Sequence, residues 1–146
     1  MKRLLGIVVM GLLWCNVAFT FNFPQTLNQY SNENKGIVSS IYILNRCSGA
    51  LTYLSSMLLK EPDQKKTALI YLDYSNQSID YASKLYSKHH NVTYAKASEI
   101  NLERMMKLEQ LYREDAKELF LKNGTYLSGH VFEDMQTCVS TLKSIN

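Results

Sequence analysis

Apolar positions in this chain fall into one short unbroken run and then into four segments where they recur every three or four residues. The first periodic segment carries Ile37, Ile41, Leu44, Cys47, Leu51, Leu54 and Leu58, spaced by 4, 3, 3, 4, 3 and 4. That spacing returns to one face of an α-helix and predicts a helix over residues 35–60. Arg46 is the only charge between Ile37 and Leu59, and apolar residues occupy more than half the circumference, so this helix should be the most buried. Glu61-Pro62-Asp63 ends it, because the residue before proline resists the helical region. A second helix is predicted over 63–89, capped by Asp63, with Ala68, Leu72, Ser75, Ile79, Ala82 and Tyr86 facing inward. Its opposite face, from Asp73 to Ser87 and including Ser83, is polar. The third predicted helix, 98–123, aims Leu102, Met105, Leu108, Tyr112, Ala116 and Leu119 inward and stops at Gly124, where glycine accepts a left-handed conformation. The fourth, 128–145, carries Val131, Met135, Cys138, Leu142 and Ile145 on one face.

Four amphipathic helices with short connections predict an all-α fold, an antiparallel four-helix bundle over residues 35–146. Residues 90–97 form the longest expected link. Residues 21–34 are polar with scattered aromatics and read as an N-terminal arm. Nowhere does the pattern alternate with period two for long enough to suggest a sheet.

The unbroken run, Leu4 to Cys15, follows Lys2 and Arg3. It has the length of the apolar core of a signal peptide and falls short of the roughly 20 residues that cross a bilayer. Small residues at Ala18 and Thr20 place cleavage after Thr20; an uncleaved membrane anchor is the competing reading. Export changes the charge balance. Loss of Lys2 and Arg3 from 16 basic residues leaves 14 against 13 acidic ones, a formal charge of +1. A mature surface so close to neutral has no electrostatic footprint for nucleic acid.

Export also leaves two of three cysteines. An even count in an oxidising compartment suggests a disulfide. Cys47 and Cys138 sit near the middle of the apolar faces of the first and last helices, which are neighbours in an up-down-up-down bundle. A Cys47–Cys138 crosslink joining these two helices is therefore expected; two buried free thiols are the alternative.

Candidate chemistry is sparse. His89, His90 and His130 lie toward opposite ends of the expected bundle and should not converge on a metal. Glu109 and Arg113 stand four apart inside the apolar arc of the third helix, where a buried ion pair is expected. Tyr42, Tyr53, Tyr74 and Tyr81 lie at or outside the edges of their apolar arcs and form a candidate partner surface, with Tyr42 and Tyr53 the more exposed. The sequence contains no G-x-S-x-G, H-E-x-x-H, C-x-x-C-H or phosphate-binding glycine loop, and no E-x-x-H of the di-iron bundles. It gives no reason to expect catalytic residues, a metal or a cofactor.

The opening KRLLGIVVMGLLWCNVAFT resembles signal peptides of short exported proteins from streamlined, AT-rich marine bacteria. The remainder has one cysteine in the first long helix (Arg46-Cys47-Ser48-Gly49-Ala50-Leu51) and one in the last (Met135-Gln136-Thr137-Cys138-Val139). It resembles small exported one-disulfide helical proteins of uncharacterised function from such genomes. That resemblance implies a periplasmic or secreted address and a one-disulfide bundle. The expected function is a small non-enzymatic binding or envelope-interaction module, acting on a protein or envelope component. A carrier of a small apolar ligand held between the helices is the alternative.

Overall fold

The computed structural model describes residues 23, 25–127 and 130–145; the expected signal peptide, 1–20, and its cleavage point lie outside them. Five helices build the described chain: α1 (Leu27–Glu33), α2 (Ile37–Leu58), α3 (Lys65–His90), α4 (Tyr94–Asn123) and α5 (His130–Ile145). No strand occurs among the described residues.

The expected arm is partly helical. Thr26 opens α1 with a capping box, its hydroxyl accepting from the Gln29 amide while the Gln29 side chain accepts from the Thr26 amide. A helix of seven residues cannot hold itself together in water. Leu27, fully buried against Cys47, Leu51, Cys138 and Leu142, fastens it to the domain. The sequence conceals this docking because Asn28, Gln29, Ser31 and Asn32 make the segment read as polar. Gly36, at φ 102°, then turns the chain into α2, a conformation that glycine adopts without steric penalty.

Helix α2 touches each of the other four helices, which is why so much of its circumference is buried. Against α3 the contact is made by small residues. Ser48 and Ser75 each donate to the other's main-chain carbonyl at 3.0 Å, Thr52 meets the Ser75 hydroxyl at 2.7 Å, and Ser55 donates to the Ala68 carbonyl. This close seam rotates α3 from its expected setting. Ala68, Ser75, Ser78, Ala82 and Ser83 are buried, whereas Leu72 is exposed together with Leu69 and Ile70. Ser83, expected on the polar face, donates back to the Ile79 carbonyl within its own helix.

The connections also depart from expectation. Asp63 lies inside a 3-10 turn, Pro62–Gln64, and Gln64 rather than Asp63 precedes α3. Only residues 91–93 separate α3 from α4, so the link expected to be longest is a tight turn. Asn91 takes the left-handed conformation, and the Thr93 side chain caps α4 by accepting from the Lys96 amide. Gly124 ends α4 at φ 70°, as the sequence suggests. Inward burial of Val131, Met135, Cys138 and Leu142 on α5 also follows the pattern, but on α4 Leu102 is exposed and Asn101 is buried in its place.

Gly49 lets α2 approach α4. A Cβ built there would lie 2.9 Å from the Glu109 main-chain nitrogen and 3.0 Å from Leu108 Cβ. The core has two parts: Ala50, Tyr53, Leu54, Tyr112, Ala116, Val131 and Met135 under Phe23, and the Leu27, Leu51, Leu142 cluster around the two cysteines.

Candidate functional site

The crosslink is present. Cys47 of α2 and Cys138 of α5 form a disulfide with Cα atoms 5.3 Å apart, buried in the second part of the core. It closes a loop spanning 91 residues of sequence.

Beside it lies a buried charge that the hydrophobic pattern only half reveals. Arg46, the lone charge of α2, is fully buried and pairs with Asp134 of α5, also fully buried. Its Nη2 donates to Asp134 Oδ2 at 2.6 Å and to the Gln25 carbonyl at 2.8 Å; its Nε is shared between Asp134 Oδ2 and the Tyr112 hydroxyl. Tyr112 donates to the same carboxylate oxygen, and the other oxygen, Oδ1, accepts from the Leu27 amide at the start of α1. The Phe23 ring covers the guanidinium at 4.1 Å and packs on Tyr112.

Burial, and then the Asp134 charge, raise the Tyr112 pKa well above its ordinary value, so the phenol stays protonated and donating. Burial alone would lower the Arg46 pKa; Tyr112 and Asp134 outweigh it and raise the pKa overall. Both carboxylate oxygens are taken and the assembly is closed to water. A substrate has no access to it. Its role is to tie the arm, α1, α2, α4 and α5 together.

The residues singled out from the sequence do not share one place. Tyr53, expected among the more exposed tyrosines, is only 1% exposed. The convergence of four helices on α2 wets no side of that helix at mid-height, and burial pushes the Tyr53 hydroxyl up to about 12. Tyr74 is half-buried against the crosslink cluster. Tyr81 is half-buried on a separate shallow groove with Ile43, Leu44 and Leu85, its ring 5.7 Å from the Lys84 ammonium. Tyr42 is half-buried and pairs with Tyr30 of α1, ring centroids 4.5 Å apart. The four tyrosines therefore do not make one surface. Glu109 and Arg113 are paired, but not in the interior: Arg113 is 49% exposed and Glu109 18%. Arg113 also donates to Ser56 and lies over the Tyr53 ring at 5.8 Å, on a seam open to solvent. His89 and His90 meet edge to face at the end of α3, and no cluster of three or more His, Cys, Asp or Glu is placed to hold a metal among the described residues.

A concave site remains, one the sequence does not foreshadow. Where α1, α2, α3 and α4 meet, a cleft of about 560 Å³ opens to solvent. That volume lies within the range of small-molecule sites, roughly 300–1,000 Å³. Tyr30, Val38, Ile41, Tyr42 and Leu108 form apolar walls. His90, Arg104 and Lys107 stand around it as exposed polar groups, and the buried Asn45 lines its inner part. The Arg104 guanidinium lies 4.9 Å from the Tyr86 ring, and Lys107 is tied to Glu103 at 2.8 Å. The cleft exists because α1 folds back alongside α2 and contributes Tyr30, a contact invisible in a segment that reads as an arm.

No family model matches this chain, and neither a curated protein nor a solved structure is similar to it.

Proposed function

We propose that this chain is a small exported, non-enzymatic binding module that takes an apolar small molecule in the cleft bounded by Tyr30, Tyr42 and Leu108. Its address is periplasmic or secreted, and its four long helices pack as an antiparallel bundle with α2 and α5 crosslinked. The α3–α4 turn of three residues and the Cys47–Cys138 bond favour that arrangement. No described helix is long and apolar enough to cross a membrane.

The observation that carries the reading is the cleft itself. Its lining is aromatic and aliphatic, it is open at one side, and it lies apart from the sealed Arg46–Asp134 assembly. A non-catalytic role is part of this reading: the Arg46–Asp134 pair is sealed from any substrate, and the groups around the cleft, His90, Arg104 and Lys107, stand at its exposed edge.

The test uses protein expressed from the full sequence and recovered after export. Titration with the neutral dye N-phenyl-1-naphthylamine should give saturable, blue-shifted emission at one dye per chain. Val38→Trp, at an exposed position on the cleft wall, should reduce that binding at least tenfold without changing the circular dichroism. A dye signal that is absent, or indifferent to Val38→Trp, overturns the reading.

A further inference from the structure

The inner part of the cleft holds a polar atom that no described residue satisfies. Asn45 is 1% exposed, and its Oδ1 is buried without a hydrogen-bond partner. The orientation of this amide follows from its surroundings. Its nitrogen lies 2.9 Å from the Ile41 carbonyl, which can only accept, so the oxygen cannot be placed there. The same nitrogen donates to Asn101 Oδ1 at 2.7 Å, and the Asn101 nitrogen is held in turn by the Ala97 carbonyl. Two main-chain carbonyls thus lock both amides and leave Asn45 Oδ1 as the open acceptor. Buried acceptors are rarely left open, because each was hydrogen-bonded in water before folding.

A cation stands one turn further along α4. Arg104 follows Asn101 by three residues and so shares its helix face. It lines the cleft, lies over Tyr86, and forms no salt bridge among the described residues, whereas the neighbouring Lys107 is occupied by Glu103. The Tyr30–Tyr42 ring pair, Ile41 and Leu108 line the same cleft with apolar surface. The occupant that complements this series carries a donor at its inner end, a flat apolar body and an anion at its outer end. The three-residue rise from Asn101, the partner of Asn45, to Arg104 is about 4.5 Å, and with the arginine stem it suits a phenyl ring with a short acid side chain.

Resting on the apolar-cleft reading above, we infer that the cleft binds a hydroxyaryl carboxylate. The phenolic hydroxyl displaces the side chains that cover Asn45 Oδ1 and donates to it, the ring packs between Tyr42 and Leu108, and the carboxylate pairs with Arg104.

Calorimetry with three probes on the exported protein tests this. 4-Hydroxycinnamate should bind one per chain. Cinnamate, lacking the hydroxyl, and methyl 4-hydroxycinnamate, lacking the charge, should each bind at least tenfold more weakly. Arg104→Gln, an exposed change that leaves the fold alone, should erase the difference between acid and ester while preserving that between hydroxylated and unhydroxylated acid. Changing the probe rather than Asn45 keeps the test independent of whether an Asn45 variant folds. If N-phenyl-1-naphthylamine binds in the cleft but the three probes bind equally or not at all, the apolar cleft stands and the hydroxyaryl carboxylate is wrong. If neither dye nor probes bind, both readings fail.

Discussion

Arg46 and Arg113 both leave helical faces that the hydrophobic pattern aims at the core, and they end in opposite environments. Arg46 is fully enclosed, with Asp134, Tyr112, the Gln25 carbonyl and the Phe23 ring around it. Arg113 keeps half its surface in water and holds Glu109 along a helix edge. The helices carrying them do not explain the difference. Around Arg46 the arm, α1, α4 and α5 all close over α2; Arg113 meets Ser56 and Tyr53 of α2 and Glu109 of its own helix. The number of elements that converge on a position decides its medium, and a periodicity read one helix at a time does not contain that number. Energetically the pairs belong to different regimes. Taking one partner from a buried pair strands a charge in low dielectric, whereas an exposed pair contributes little.

Disrupting the buried side should have the largest effect. Asp134→Ala leaves Arg46 without a counter-charge and frees the Leu27 amide, so urea unfolding should show a loss of about 3–5 kcal/mol. Replacing the pair together, Arg46→Met with Asp134→Leu, should recover much of that loss. A double variant as unstable as Asp134→Ala would show that the charges themselves hold this junction. Next comes the crosslink beside it: Cys47→Ala with Cys138→Ala should lower stability by about 2–5 kcal/mol while the helical circular dichroism persists below the transition. On the other side of the comparison, Gly49→Ala should force α2 from α4 near Glu109 at a cost of about 1–3 kcal/mol, measured by thermal unfolding.

Alkaline titration distinguishes the two interiors by a smaller amount. The folded Tyr53 hydroxyl is raised to about 12 from an ordinary value near 10. A raised folded pKa contributes stability that is complete below pH 10 and is lost as pH climbs toward 12. At pH 11 Tyr53 alone should remove about 1 kcal/mol, and Tyr112, raised by burial, should add to the loss. Absorbance at 295 nm should show these two tyrosines ionising only as the protein unfolds; their titration in the folded state near pH 10 would contradict their burial. Least of all should follow from Glu109→Gln, which removes the exposed pair and should shift urea unfolding by less than about 1 kcal/mol.

Much of the architecture could be read before any coordinates. The step of three and four placed α2 and the inner face of α5, and the two central cysteines pointed to their own bond. Less accessible was whatever depended on rotation or on a partner distant in the chain. Leu72 looked core-facing, but the Ser48–Ser75 seam turned α3 so that small polar residues pack inside and the leucine faces water. Arg46 stood out as the one charge in an apolar run. Asp134 did not, because it follows Glu133 in an ordinary-looking first turn and meets Arg46 across 88 residues. The cleft needed three facts that no local pattern holds: that residues 27–33 form a helix, that Tyr30 reaches Tyr42, and that Asn45 turns its nitrogen toward Asn101.

The hydrogen bond from the Leu27 amide to Asp134 joins positions 107 residues apart. In kinetic terms the first helix waits for the last. As the chain is made from its N-terminus, α2, α3 and α4 can pair through short connections, but Arg46 has no counter-ion until α5 has followed. Contacts of such long sequence separation form late, because loop-closure entropy must be overcome first. The final helix is therefore the latch of this domain, and until it arrives neither Arg46 nor the start of α1 has the carboxylate that closes it down.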